Sequence, residues 1–354
     1  MKQNMLEASF RKLTNEEKVS YHNNVKNFYE KVLEKSAFSG GILVAKNGEI
    51  VFEAYNGSAN WRTKEPLTAN TPMHIASVSK TLTGMAIVRL LQQGKLKLED
   101  SLQQYFPAFP YHGITLHSLL THRSGLPNYA YFMDTAWNKK VKATNNDMLD
   151  FMIVKQPKIE ASPNKSFHYC NTNFALLALV IEKVTSISFP NYMKDSVFIP
   201  LGMKNTFVFS VHDTANYTPS YTQSNTPFQL ESLDCIYGDK NIYSTVQDLL
   251  LWDKAMYTNN FIQQPYLQKS FLPYSNERFS YHNYGLGWRL YIDGADTTVY
   301  HNGWWHGNNA VFARLIGDTA TIITLGNKYN HIIYSTRKMA SIFSKNNKEQ
   351  KLKE

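Results

Sequence analysis

The chain has 354 residues, 43% of them hydrophobic and 14% aromatic, with a formal net charge of +9. That length and apolar content suit one large two-lobed domain and exclude a largely disordered chain. No run reaches the roughly 20 apolar residues of a spanning helix, and no dense basic helix or RNA-reading motif accompanies the charge, so neither stable membrane insertion nor nucleic-acid binding is expected.

The start, Met1-Lys2-Gln3-Asn4, lacks the charged-then-apolar pattern of a secretory signal. Two locations stay open: the cytoplasm, or the periplasm and cell envelope if a leader has been removed. Asn15 to Lys35 is charged, with Tyr21, Val25, Phe28 and Val32 spaced for one apolar face, and predicts a helix opening at Thr14 or Asn15. Gly41 to Ala45 and Glu49 to Glu53 flank Asn47-Gly48, a strong hairpin signal. From Ser77 the chain turns helical. Leu82, Met85, Ala86, Leu90 and Leu91 form a stripe ending at Gly94; Leu116, Leu119 and Leu120 form a shorter one, and Phe174 to Val184 another. Thr245-Val-Gln-Asp248 has the pattern of a capping box ahead of Leu249, Leu250 and Trp252. Strand signals return at Tyr284–Ile292, Thr297–His301, Asn309–Ile316 and Thr319–Leu325, and a last helix is expected over Ile332–Phe343.

This order predicts an α+β fold. One antiparallel sheet closes from the two ends of the chain, terminal helices flank it, and a mostly helical lobe is inserted. The expected division is an N-terminal helical segment (1–36), an α/β lobe (37–76 and 276–343), a helical lobe (77–275) and a basic tail (344–354) with Lys345, Lys348, Lys351 and Lys353.

Cys170 and Cys235 are the only cysteines. They read as two buried free thiols, a single bridge being the alternative, and form no disulfide framework. The histidines show no H-E-x-x-H or comparable spacing, so no metal is expected.

Three short patterns carry chemistry. Ser77-Val-Ser-Lys80 is S-x-x-K, which puts a hydroxyl and an amine one helical turn apart on one face. The amine eases loss of the serine proton, and the helix N-terminus favours the anion formed. Ser9, Ser162 and Ser335 match the same pattern, but only Ser77 opens a strongly apolar helix between a hairpin and a helical lobe. Tyr169-Cys-Asn171 is Y-x-N, shared with Tyr21, Tyr257, Tyr274, Tyr281 and Tyr300. A phenol serves as base only where cations favour its anion, a service Lys80 supplies to one tyrosine. His301-Asn-Gly303 is the only H-x-G and falls near a strand end, where glycine admits a ligand close to the backbone.

In this order the three patterns resemble the serine β-lactamase and penicillin-binding superfamily, in its class C, esterase and D-aminopeptidase branch. Longer stretches carry the likeness: His74-Ile-Ala-Ser-Val-Ser-Lys80, Leu119-Leu-Thr-His-Arg-Ser-Gly-Leu-Pro127, Pro200-Leu-Gly-Met203, Gly238-Asp239 with Tyr243-Ser-Thr245, and Tyr284-Gly-Leu-Gly-Trp288. The likeness spans about Gly40 to Ser341. It implies acyl transfer without a cofactor: Ser77 as nucleophile, Lys80 and Tyr169 sharing the proton, and Asn171 orienting Lys80 and a substrate amide. His301 and Gly303 would line the substrate site, with the N–H groups of Ser77 and Trp304 as oxyanion donors. The implied partner is a small-molecule or peptide substrate, with no particular oligomeric state. His301 stands where the family's lactamases carry the lysine of K-T-G, which weakens the positive charge. Trp304 and Trp305 would crowd the site. Both departures suit esters and D-amino-acid amides better than penicillins. A catalytically silent member that binds or assembles is the competing expectation; a basic carbohydrate- or nucleic-acid-binding protein is a third, resting on charge and aromatic content alone.

Overall fold

The structure is a computed structural model that describes residues 10–214, 217–294 and 296–344. Ser9 and the basic tail beyond Ser344 lie outside the described residues.

Thr14 opens helix α1 (Asn15–Phe28) through a reciprocal cap: its hydroxyl accepts from the Glu17 N–H, and the Glu17 carboxylate accepts from the Thr14 N–H. The helix then widens into a π turn at Tyr29–Leu33 and tightens into a 3₁₀ turn at Glu34–Ser36. The wider turn moves the buried stripe to Val25, Tyr29 and Leu33, where constant helical spacing had pointed to Phe28 and Val32.

Strands β1 (Gly40–Lys46) and β2 (Glu49–Asn56) form the expected hairpin. Asn47 and Gly48 are both left-handed, at φ 51° and 70°, as the tight Asn-Gly turn requires. Two short strands, β3 (Met73–His74) and β4 (Phe207–Val208), pair on either side of β5 (Ile242–Ser244). This small sheet was not expected. Its strands span two or three residues, too short to show a period.

The expected strand over Tyr284–Ile292 is split into β6 (His282–Tyr284) and β7 (Arg289–Asp293). Gly285 and Gly287 lie in the hairpin turn that joins these two antiparallel strands; a Cβ on Gly285 would lie 2.2 Å from the Ser270 carbonyl oxygen. After β8 (Asp296–Trp305), β9 (Asn308–Leu315) and β10 (Ala320–Gly326), the chain ends in a 3₁₀ helix at His331–Ile342 in place of the α-helix expected there. The large sheet has the order β2-β1-β10-β9-β8-β7-β6, all antiparallel, so its middle joins the two ends of the chain. The α+β architecture is therefore as expected.

Both faces of this sheet are covered, which is why its central strands read as continuous apolar runs. Ile42, Val44, Val311, Ala313 and Ile322 pack against α1 and the 3₁₀ helix. Leu43, Ala310, Phe312, Ile323 and Leu325 alternate with them and face the helical lobe, built on α2 (Ser79–Gln92), α3 (Asn171–Thr185) and α4 (Val246–Ala255). The capping box expected at Thr245 is half formed. Its hydroxyl accepts from the Asp248 N–H, but the Asp248 carboxylate turns to the Asn205 N–H and the Thr206 hydroxyl. Among the described residues no single helix is long and apolar enough to cross a membrane.

Candidate active site

The β3 strand delivers the chain to a strained corner. Ala76 is left-handed at φ 49°, and Ser77 sits in the single 3₁₀ turn Ala76–Val78 before α2 begins. For an alanine such a backbone costs on the order of 1–2 kcal/mol. Three contacts hold it there. The Ala76 N–H donates to His74 Nδ1 at 3.0 Å, the Ile75 N–H donates to the Ile242 carbonyl at 2.9 Å, and strand β8 presses on it at Gly303. A Cβ on Gly303 would lie 2.4 Å from the Ile75 carbonyl oxygen. This glycine therefore admits the chain's own backbone, where the sequence suggested a ligand. Because His74 Nδ1 accepts, its proton is on Nε2, which donates to Asn241 Oδ1 at 2.9 Å. Burial pushes His74 down to about 4, so the ring is neutral near pH 7.

One turn beyond Ser77, Lys80 is fully buried. Its Nζ donates to Ser77 Oγ at 2.9 Å and to the Asp239 carbonyl at 2.7 Å. Asn171, expected to share this lysine, does not: its Oδ1 is buried and without a hydrogen-bond partner. The lysine also lies 5.0 Å from the Tyr169 ring centre and 5.8 Å from that of Phe174. The S-x-x-K and Y-x-N segments thus meet at Lys80.

Tyr169 is held between an imidazole and two cations. The His122 ring lies 4.3 Å away, and the Arg289 guanidinium, like Lys80, is 5.0 Å from the ring centre. His122 is left-handed at φ 54° and buried. Its Nδ1 accepts from the Cys170 N–H at 3.1 Å, and burial, with Lys80 nearby, holds it well below the usual histidine range. This neutral ring fixes the backbone just after Tyr169, a positioning role that the T-H-R-S-G stretch did not reveal. Cys170 and Cys235 are buried free thiols. Burial pushes the Cys170 thiol up to about 11, so it carries no nucleophilic thiolate at neutral pH.

His301 is fully buried, with Nδ1 on the Asn302 carbonyl at 2.7 Å and Nε2 against the Tyr284 hydroxyl at 3.1 Å. Both ring nitrogens are thus engaged within the protein, leaving no spare donor to grip a substrate. Burial and Arg289 hold its pKa well below the ordinary value. A positive charge beside His301 and Tyr169 is carried by Arg289, which the sequence reading missed. It lies on β7, opposite Tyr300 in the register, and lines a cavity of about 480 Å³ with Phe167, His168, Glu277 and Tyr284. The paired part of β8 ends at Tyr300 on the β7 side, and the stretch from His301 onward packs on the Ser77 turn, where oxyanion donors are needed. Trp304 and Trp305 do not form a joint cover, because alternate residues of a strand face opposite ways. Trp304 is exposed, while Trp305 Nε1 donates to Asp234 Oδ1 at 2.8 Å.

A larger cavity, about 1050 Å³, lies between Pro72, Phe198 and Val208; neither it nor the Arg289 cavity includes Ser77, Lys80 or Tyr169 in its lining. Among the described residues no group of three or more His, Cys, Asp or Glu side chains is placed to hold a metal ion.

The family model described as Beta-lactamase matches residues 25–330. The chain belongs to the beta-lactamase family. Within it, the chain is 33% identical over 322 residues to Penicillin-binding protein 4* of Bacillus subtilis (strain 168), covering 86% of this chain and 71% of that protein. It is 29% identical over 293 residues to Protein flp of Staphylococcus aureus (strain MW2), covering 77% of this chain but only 56% of flp. The crystal structure of a penicillin binding protein from Bacillus halodurans superposes with a TM-score of 0.77 at 25% identity, covering 88% of this chain and 97% of that one. A class C beta-lactamase superposes with a TM-score of 0.75 at 18% identity, covering 92% and 96%, a likeness of fold. Membership of this superfamily points to serine acyl-enzyme hydrolase chemistry.

Proposed function

We propose that this chain is a serine hydrolase that forms an acyl-enzyme on Ser77 and acts on small esters and on D-amino-acid amides or peptides, with β-lactam-like carbonyl compounds as poorer substrates. One observation carries the reading: the buried Lys80 ammonium donates at 2.9 Å to Ser77 Oγ while the Asp239 carbonyl holds it from behind. With Lys80 donating, the hydroxyl hydrogen of Ser77 is directed elsewhere, and Tyr169 is the group that receives it. Ser77 Oγ bonds to the substrate carbonyl carbon, and its proton passes through Tyr169 and Lys80 to the leaving group as the old bond breaks. A water then attacks the acyl carbon, gives its proton to the same pair, and Ser77 Oγ departs with a proton restored. The N–H groups of Ser77 and Trp304 hold the carbonyl oxygen at both stages; one such donor is worth roughly 3–4 kcal/mol. Asn171 Oδ1, buried and unpartnered, is left to accept from a substrate amide. Arg289 supports substrates that carry a carboxylate.

The test is a panel of p-nitrophenyl esters, D-alanyl p-nitroanilides and a chromogenic cephalosporin. Wild type should turn over the first two classes fastest, and Ser77→Ala should lose roughly 10³-fold or more while melting at the wild-type temperature. Activity surviving in Ser77→Ala, or no turnover and no fluorophosphonate labelling of wild type, would sink the reading. Arg289→Ala should raise KM for a carboxylate-bearing substrate roughly tenfold or more and leave a neutral ester unchanged. Equal losses on both would remove Arg289 from substrate recognition.

A further inference from the structure

Behind the nucleophile lies a second buried lysine. Lys240 Nζ donates to the Tyr129 hydroxyl at 2.7 Å, the Ile236 carbonyl at 3.0 Å and the Leu233 carbonyl at 3.1 Å, using all three ammonium hydrogens. The Tyr129 hydroxyl, already an acceptor, donates its single hydrogen to Asp239 Oδ2 at 2.9 Å. Asp239 is also the residue whose backbone carbonyl holds Lys80. An ammonium, a phenol and a carboxylate therefore converge on the one peptide that faces the reacting amine. All three side chains are buried.

The peptide cannot move to suit. Gly238, left-handed at φ 98°, lies so close to α3 that a Cβ would sit 2.4 Å from the Phe174 carbonyl oxygen. The Gly238 carbonyl also accepts from the Thr83 hydroxyl at 2.8 Å. Asp239 Oδ1 is buried without a hydrogen-bond partner, so half of this carboxylate is left unsatisfied by the fold. Burying a carboxylate in that state costs several kcal/mol, and a role in stability alone would be met better by an apolar side chain. Burial lowers the pKa of Lys240, while Asp239 and Asp234 raise it. Burial and Asp239 keep Tyr129 far above the ordinary phenol range, so its hydrogen stays on as the link.

We propose that Lys240, Tyr129 and Asp239 form a positioning relay for acyl transfer, fixing the Asp239 carbonyl on Lys80 while Lys80 helps to carry the proton of Ser77. The proposal rests on the reading of Ser77 and Lys80 as the acylating pair. None of the three relay side chains touches substrate. They act through Lys80.

Tyr129→Phe removes the link and keeps the ring; Asp239→Asn keeps the size and shape of the side chain but removes the charge. Acylation by a fluorogenic ester is followed in the pre-steady state, separating the saturating rate constant from the apparent Kd, with a thermal melt alongside. The relay predicts that the rate constant falls on the order of tenfold in each variant, with Kd unchanged. The double variant should lose no more than either single one, since both act through the same Asp239 side chain. Wild-type acylation rates in whichever variant folds would overturn the relay, as would a loss confined to Kd. Failure of the underlying reading looks different: wild type itself then shows no acylation burst, or Ser77→Ala shows the same burst.

Discussion

The two faces of the large sheet are built to different rules. Towards α1 and the terminal 3₁₀ helix, the strands present Ile42, Val44, Val311, Ala313 and Ile322 to a core that is almost wholly apolar. Towards the helical lobe the same strands bury His301, Arg314 and Thr321 among apolar neighbours. Each of these polar groups has a dedicated partner. Arg314 Nε donates to Asp253 Oδ1 at 2.5 Å, Thr321 donates to Asp253 Oδ2 at 2.6 Å, and His301 meets Tyr284. An apolar core asks for volume, whereas a buried charge asks for a particular partner at a particular distance. The lobe-facing side is therefore where a conservative substitution does disproportionate harm to chemistry.

Three measurements sharpen or break that contrast. Ile322→Ala, on the apolar face, should cost roughly 2–5 kcal/mol of stability, read as a lower denaturant midpoint, with kcat of the folded protein unchanged. A fall in kcat without unfolding would show that the faces are coupled after all.

Acid should act instead beside the nucleophile, at the small sheet that carries His74. His74 is held down to about 4 by burial, against 6.5 for an ordinary histidine. Between those values the unfolded chain takes up a proton that the folded chain refuses. Stability is thus full above pH 6.5 and falls as the pH drops towards 4, by on the order of 3 kcal/mol from this residue. His122 and His301, also held low, act in the same direction. Urea midpoints at pH 7, 6, 5 and 4.5 should fall steadily, and less steeply in His74→Asn. Identical slopes in the two proteins would remove His74 from the account.

The smallest effect concerns Cys170. Its thiol reaches the Pro127 carbonyl at 3.5 Å, and its N–H, which holds His122, survives replacement by alanine. Cys170→Ala should keep most activity, and a loss comparable to that of Ser77→Ala would assign the thiol a chemical role.

What the sequence made legible was local or ordered along the chain. Asn47-Gly48 specified its hairpin, and Ser77 and Lys80 specified a shared helical face. The succession of S-x-x-K, Y-x-N and H-x-G led to the expectation of a shared site, and Lys80 does lie by both Ser77 and the Tyr169 ring. What stayed hidden depended on register and burial. Arg289 becomes relevant only because it pairs opposite Tyr300, and nothing in Trp-Arg-Leu announces that. His301 looked available until its two nitrogens were seen to be engaged by Asn302 and Tyr284. The relay lysine stands next to a familiar Gly-Asp pair, yet its importance lies in a tyrosine 111 positions away along the chain.

Gly303 carries a wider consequence. Where it meets Ile75, main chain touches main chain with no side chain interposed, so the gap between the attacking oxygen and the strand edge is set by covalent geometry and van der Waals radii. The surrounding cleft is therefore free to change its shape and its taste for substrates through amino-acid replacement, while the dimension that governs bond making is insulated from those changes.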